Sequence, residues 1–126
     1  MKVLITGGCG FLGSNLAKSY LEDEAEIYIV DSLFRDGSEK NLNWLQSLDT
    51  KNKIKFFRID ISDKDLVNKV FKQYAPFDFT CHVAGQVAMT TSIEDPWNDL
   101  RTNLIGTFNI LEAIRKYSPN CLLAFS

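Results

Sequence analysis

Several protein classes are excluded by what this sequence has little of. It holds three cysteines and one histidine in 126 residues. Cys9, Cys81 and Cys121 are odd in number, and no two have the close spacing of a zinc site. Neither a disulfide framework nor a metal centre is expected, and reduced thiols suit a cytoplasmic chain. No apolar run approaches the ~20 residues a membrane span needs. Met1-Lys2 leads to glycine by Gly7, before any leader-like apolar region. Base is not in excess: 14 Lys and Arg stand against 16 Asp and Glu, a net charge of −2. A nucleic-acid partner needs a basic face to neutralise phosphates, so neither nucleic acid nor membrane is expected as a partner.

What is present is a globular composition, 45% hydrophobic and 24% charged. That much apolar content excludes disorder over most of the chain. The length suits one domain spanning residues 1–126. Short apolar runs alternate with amphipathic stretches. Val3-Leu4-Ile5 reads as a buried strand ending at glycines. Leu12, Leu16 and Tyr20 recur at helical spacing over 10–21. Further strands are expected at Ile27–Val30, Ile54–Ile59, Phe77–Val83 and Cys121–Phe125. Further helices are expected over 38–48, through Leu42, Leu45 and Leu48, and from Ser62 to Tyr74, with Ser62 and Asp65 as a capping-box-like pair. The last helix opens on Asp95-Pro96, an N-cap followed by proline, and carries Leu100, Leu104, Phe108, Leu111 and Ile114 to about Tyr117. Strands alternating with helices imply an α/β fold: a doubly wound parallel sheet of at least five strands in three layers.

The segment Thr6-Gly7-Gly8-Cys9-Gly10-Phe11-Leu12-Gly13 carries the clearest chemistry. It fits G-x-G-x-x-G from Gly8 and G-x-x-G-x-x-G from Gly7. The early glycines permit a tight strand-to-helix turn, Gly10 lets backbone approach a pyrophosphate, and Gly13 lets the helix pack on the sheet. Phosphates then meet free N–H groups at a positive helix end. The motif follows a strand, opens a helix, and is followed about 20 residues on by an acid, Asp31, at the next strand end. This is the Rossmann-like dinucleotide fingerprint. A carboxylate there accepts ribose hydroxyls and repels a 2′-phosphate, favouring NAD over NADP. Arg35 softens that preference, since a guanidinium can hold a phosphate.

Other residues leave alternatives open. Asp60, beside Ile61 at the third strand's end, could accept an adenine amine while the isoleucine packs on the ring, or could cap the helix beginning near Ser62. Val83, Ala84, Gly85 and Gln86 follow the fourth strand, where ligands of open α/β sheets bind and small residues leave room for ribose and nicotinamide. His82 reads as a packed, hydrogen-bonded residue. Asn103 is either a surface residue or reaches the backbone near Gly85. Cys9 sits beside a helix N-terminus, a place that can lower a thiol pKa, yet reads as a small loop residue. Cys81 and Cys121 read as buried, inert thiols on neighbouring strands.

These motifs resemble the extended short-chain dehydrogenase/reductase family, and within it the nucleotide-sugar epimerases and dehydratases. The resemblance runs through Thr6–Asn15 (TGGCGFLGSN), Asn41–Leu48 (NLNWLQSL), His82–Pro96 (HVAGQVAMTTSIEDP) and Asn103–Ala113 (NLIGTFNILEA). It is most specific over Gly85–Ser92, which points to the branch that epimerises CDP-linked sugars at C2. The resemblance implies NAD as cofactor and a nucleotide sugar as substrate. It implies Gly7, Gly10, Phe11, Leu12 and Gly13 at the pyrophosphate, and Asp31, Ser32 and Arg35 at the adenosine ribose. Asp60 and Ile61 flank the adenine, Val83 to Val87 line the nicotinamide side, and Asn103 braces that loop. Thr90, Thr91 and Ser92 lie toward the sugar. The implied chemistry is a transient oxidation at the sugar C2, with the hydride returned to the other face and a Tyr-x-x-x-Lys pair moving the proton. No tyrosine here has a lysine four residues on, so no catalytic residue is assigned. The resemblance thus carries the expectation of an N-terminal half, truncated before the substrate domain and inactive by itself. Alternatives are a stand-alone dinucleotide-binding module or part of a related dehydratase or reductase. The uncharged apolar segment 121–125 is expected to form a sheet edge prone to self-association.

Overall fold

The computed structural model describes residues 1–126. In chain order the elements are β1 (Lys2–Thr6), α1 (Phe11–Glu22), β2 (Glu26–Asp31), α2 (Ser38–Leu48), β3 (Ile54–Arg58), α3 (Lys64–Tyr74) and β4 (Phe79–His82). There follow α4 (Met89–Glu94), α5 (Pro96–Leu100), a π-helical turn over Arg101–Gly106, α6 (Thr107–Tyr117) and β5 (Leu122–Phe125). The five strands are parallel in the order β3-β2-β1-β4-β5. The order reverses at β1, so the crevice of this doubly wound sheet opens at the carboxyl ends of β1 and β4.

Val3, Leu4 and Ile5 have no exposed surface, because β1 is covered on both faces. That is why it reads as a continuous apolar run rather than an alternating one. Leu4, Tyr28 and Val30 pack under Val67, Val70 and Phe71 of α3 and Ile110 and Ala113 of α6. On the opposite face Val3, Ile5, Ile27 and Ile29 pack with Ala17 of α1 and Leu42 and Leu45 of α2. No helix is long and apolar enough to cross a membrane.

The C-terminal half departs from the sequence reading in four ways. The third helix starts at Lys64, not Ser62: Asp63 is its N-cap, accepting from the N–H groups of Asp65 and Leu66. Ser62 does not cap because its hydroxyl and N–H both turn back to Asp60 Oδ1, at 2.7 and 2.9 Å. The segment expected as one helix to Tyr117 is α5, a π turn and α6, and the short α4 precedes it. The periodic stripe Leu104, Phe108 and Leu111 faces outward; the buried face of α6 is Asn109, Ile110, Ala113 and Ile114. The extra residue of the π turn shifts the helical phase, and apolar spacing alone carries no mark of it. Finally, Cys121 precedes β5 and is only half-buried, with Sγ 3.2 Å from Thr80 Oγ1, while Cys9 and Cys81 are buried.

Phe71 meets Phe77 edge to face, with ring centroids 5.2 Å apart, at the centre of the larger core. Truncation there leaves a cavity between α3 and the sheet. Phe71→Ala is expected to cost about 3–5 kcal/mol, seen as a lower urea midpoint at unchanged slope.

Candidate functional site

A cleft of about 700 Å³ lies across the carboxyl ends of β1, β2, β3 and β4. Its floor is the glycine turn. Gly7 leaves β1 at φ 70°, a left-handed conformation, and a Cβ on it would stand 2.7 Å from the backbone of Ala84. A Cβ on Gly13 would stand 2.2 Å from the Gly7 carbonyl oxygen. These two glycines are needed for packing. Gly10 differs: a Cβ there would meet only the Gly7 oxygen, at 3.3 Å, so its bare backbone borders the cleft. Gly10 is also the N-cap of α1 and offers no capping side chain. The first N–H groups of α1, at Phe11 and Leu12, therefore have no partner within the helix. Such a terminus favours an anion.

Two polar side chains hold the turn. Asp31, at the end of β2, accepts from Cys9 N–H at 2.9 Å and Leu33 N–H at 2.8 Å. Asn41 of α2 donates to the Cys9 carbonyl at 2.8 Å. The two oxygens of Asp31 accept one bond each here, and a carboxylate oxygen can take a second. Asp31 thus fixes the turn and retains capacity for hydroxyl donors in the cleft it lines. The Cys9 thiol is not activated. Burial, with a smaller contribution from Asp31, pushes its pKa up to about 12.

The lining brings together Gly7, Gly10, Phe11, Leu12, Gly13, Asp31, Ser32, Arg35, Asp60, Ile61, Val83, Ala84, Gly85 and Gln86. Asn103 stands behind the lining and reaches the loop: its Oδ1 accepts from Gln86 N–H at 2.7 Å and its Nδ2 donates to Gln86 C=O at 2.9 Å. Asp60 does not cap α3; its Oδ2 accepts from Arg101 Nη2 at 2.9 Å. Thr90, Thr91 and Ser92 lie on α4, outside the lining, and the Ser92 hydroxyl bonds to Ala88 C=O and Asp99. Sequence reasoning missed Arg58, Arg101 and Ser126 in the lining. Arg58 had a visible signal, since it ends the strand that precedes Asp60.

His82 is fully buried between β1 and α6. Its Nδ1 is 2.6 Å from Thr6 Oγ1 and its Nε2 is 2.8 Å from Thr107 Oγ1. Both ring nitrogens are engaged away from the cleft, and burial pulls its pKa down to about 4. It is a structural tie, as its strand position implied.

A parallel doubly wound sheet with a bare-backbone turn, an acid at the end of β2 and a cleft at the strand reversal is the architecture of a dinucleotide-type site. The chain belongs to the GDP-mannose 4,6 dehydratase family, whose model matches residues 4–125. It is 48% identical over its whole length to CDP-paratose 2-epimerase of Salmonella typhi, covering 36% of that protein. Among solved structures it is similar to UDP-glucose 4-epimerase of Thermus thermophilus in complex with NAD, at 36% identity and a TM-score of 0.78. That match covers 93% of this chain and 34% of the other. It is also similar to UDP-glucose 4-epimerase of Bifidobacterium longum in complex with NAD+ and UDP, at 26% identity and a TM-score of 0.87. That match covers 100% of this chain and 36% of the other. The chain spans about a third of the length of these proteins.

The His82 tie makes stability acid-sensitive. An unfolded histidine titrates near ~6.5, whereas folded His82 titrates at about 4. Between those values the unfolded chain binds a proton that the folded chain refuses. Stability is therefore full above about pH 6.5 and falls as pH drops towards 4. Urea titrations from pH 7 to 5 are expected to show a loss of roughly 2 kcal/mol, and a His82→Asn variant a shallower dependence. A wild-type midpoint constant over this range would contradict the assignment.

Proposed function

We propose that residues 1–126 form the NAD-binding domain of a nucleotide-sugar epimerase acting on a CDP-linked sugar. One observation carries the cofactor reading: Asp31, at the end of β2, both holds the glycine turn through Cys9 N–H and lines the cleft that the turn floors. The turn meets a diphosphate with backbone N–H groups of Phe11 and Leu12. Asp31, with Ser32 and Arg35, takes the adenosine ribose. Asp60 accepts the adenine amine while Ile61 packs against the ring. Val83 to Gln86 border the nicotinamide, and Asn103 holds Gln86 in place. When bound, the cofactor supplies a hydride acceptor and donor. The residues of this chain orient it and present one face of its ring to the sugar side. Thr90, Thr91 and Ser92, beyond the cofactor cleft on α4, are proposed on that sugar side. The identity shared with CDP-paratose 2-epimerase supports a CDP-linked sugar as substrate.

The 126 residues contain no Tyr-x-x-x-Lys pair. Within these residues no group is therefore assigned as general base. Without a positioned general base the proton-transfer step loses roughly 10²–10⁴-fold.

Calorimetric titration tests the cofactor reading. NAD is expected to saturate the chain and to bind more tightly than NADP, because Asp31 repels a 2′-phosphate. Asp31→Ala is expected to weaken NAD binding at least about tenfold and to narrow the gap to NADP. Loosening of the turn alone would weaken both cofactors equally, and that outcome would count against the ribose assignment.

We also propose self-association through β5. Leu122 and Phe125 are 67% and 68% exposed on this edge strand. The opposite edge, β3, is guarded by Lys55 and Arg58, whereas Leu122–Phe125 carries no charge. Sedimentation over a dilution series is expected to show concentration-dependent dimers that Leu122→Lys removes. A wild-type chain that is monomeric throughout would refute this.

A further inference from the structure

The two ends of the cleft are joined by a single turn of irregular helix. At one end Asp60 Oδ1 accepts from the N–H and hydroxyl of Ser62, at 2.9 and 2.7 Å, and Asp60 Oδ2 accepts from Arg101 Nη2 at 2.9 Å. Arg101 is the first residue of the π turn. Two residues on, Asn103 grips the Gln86 backbone at both its N–H and its C=O. A third bond, from Asn103 Nδ2 to Asp99 Oδ1 at 2.7 Å, fixes which way the amide faces. The Asp60–Arg101 contact and the Asn103–Gln86 contacts are thus joined through the backbone of the π turn, on which Arg101 and Asn103 stand two residues apart.

The first link in that run is exposed. The Arg101 and Asp60 side chains keep 44% and 39% of their surface, and an ion pair so open to water contributes little. Covering it changes that, because the same attraction grows as water is excluded. Asp60 Oδ2 accepts one bond and has room for a second. An amine-bearing base can therefore settle beside the guanidinium without displacing it.

We propose that Arg101 is a positioning residue that couples occupancy of the adenine end to the nicotinamide-side loop. A base seated against Asp60 covers the ion pair, the pair holds the π turn more firmly, and Asn103 holds Gln86 more firmly in turn. This rests on the cofactor reading above. It adds that the chain senses the adenine half and stiffens the far end of its own cleft in response. Irregular π turns are frequently placed at functional sites, and here the turn carries both Arg101 and Asn103.

The probe is AMP, which has the adenine, the ribose and one phosphate but no nicotinamide. The readout is hydrogen exchange of the Gln86 amide, whose N–H donates to Asn103. Saturating AMP is expected to slow that exchange about tenfold in the wild-type chain, within the usual range of coupling between sites. At AMP concentrations that saturate Arg101→Gln, the slowing falls below about twofold, and Arg101→Lys recovers part of it. The amides of Leu4 and Ile29 in β1 and β2 report whether each variant is folded. Equal slowing in the wild type and in Arg101→Gln overturns the proposal, as does AMP bound to the wild type with no change at Gln86. Failure of both AMP and NAD to bind a folded wild-type chain overturns the cofactor reading and this coupling together.

Discussion

Three chain segments meet at the top of this sheet with no side chain between them, and the cleft depends on that contact. The end of β1 turns at Gly7 in a left-handed conformation, with its N–H on the Val30 carbonyl at 2.8 Å. The loop after β4 lies against Gly7 at Ala84, and α1 starts against it at Gly13. A methyl group at either glycine would push these segments apart. Asp31 and Asn41 then hold Cys9 from two sides, and His82 ties the end of β1 to α6 through Thr6 and Thr107. Steric closeness sets the floor of the cleft, and hydrogen bonds from α2, β2 and β4 keep it in place.

Charge in the cleft runs against charge in the chain. The sequence has two more acids than bases, yet the lining holds Arg35, Arg58 and Arg101 against Asp31 and Asp60. Composition is a sum over the whole chain. It could say nothing of a local cationic rim, which forms only when β2, β3 and the π turn come together. The same rim explains why Asp60 is held by Arg101 rather than left to cap α3.

Strands and the glycine turn were legible in the sequence for physical reasons. A strand buried on both faces must be apolar throughout, as Val3–Ile5 and Ile27–Val30 are. A backbone at φ 70° that touches Ala84 admits glycine almost alone. Asp31 and Gln86 followed from position at strand ends, whereas Asn103, a poor helix former within a helix, left two alternatives open, of which the structure shows the grip on the loop. The less legible features came from competition between groups far apart in the chain. Burial and Asp31 raised the Cys9 thiol. Asp63 took the cap because Asp60 was already engaged with Ser62 and Arg101. Past the π turn, Phe108 and Leu111 of the expected stripe face outward and only Ile114 of it faces the core. None of these leaves a periodic trace.

The strand order also sets a timetable for the nascent chain. Thr6 of β1 pairs with His82 of β4, 76 residues later, although β1 is the middle strand. Synthesis at about 5–20 residues per second puts roughly 4–15 s between the two. Through that interval β1 can pair with β2, and β2 with β3, while the other flank of β1 waits unpaired. The segment that holds the glycine turn acquires its second neighbour only when His82, 76 residues after Thr6, has been made.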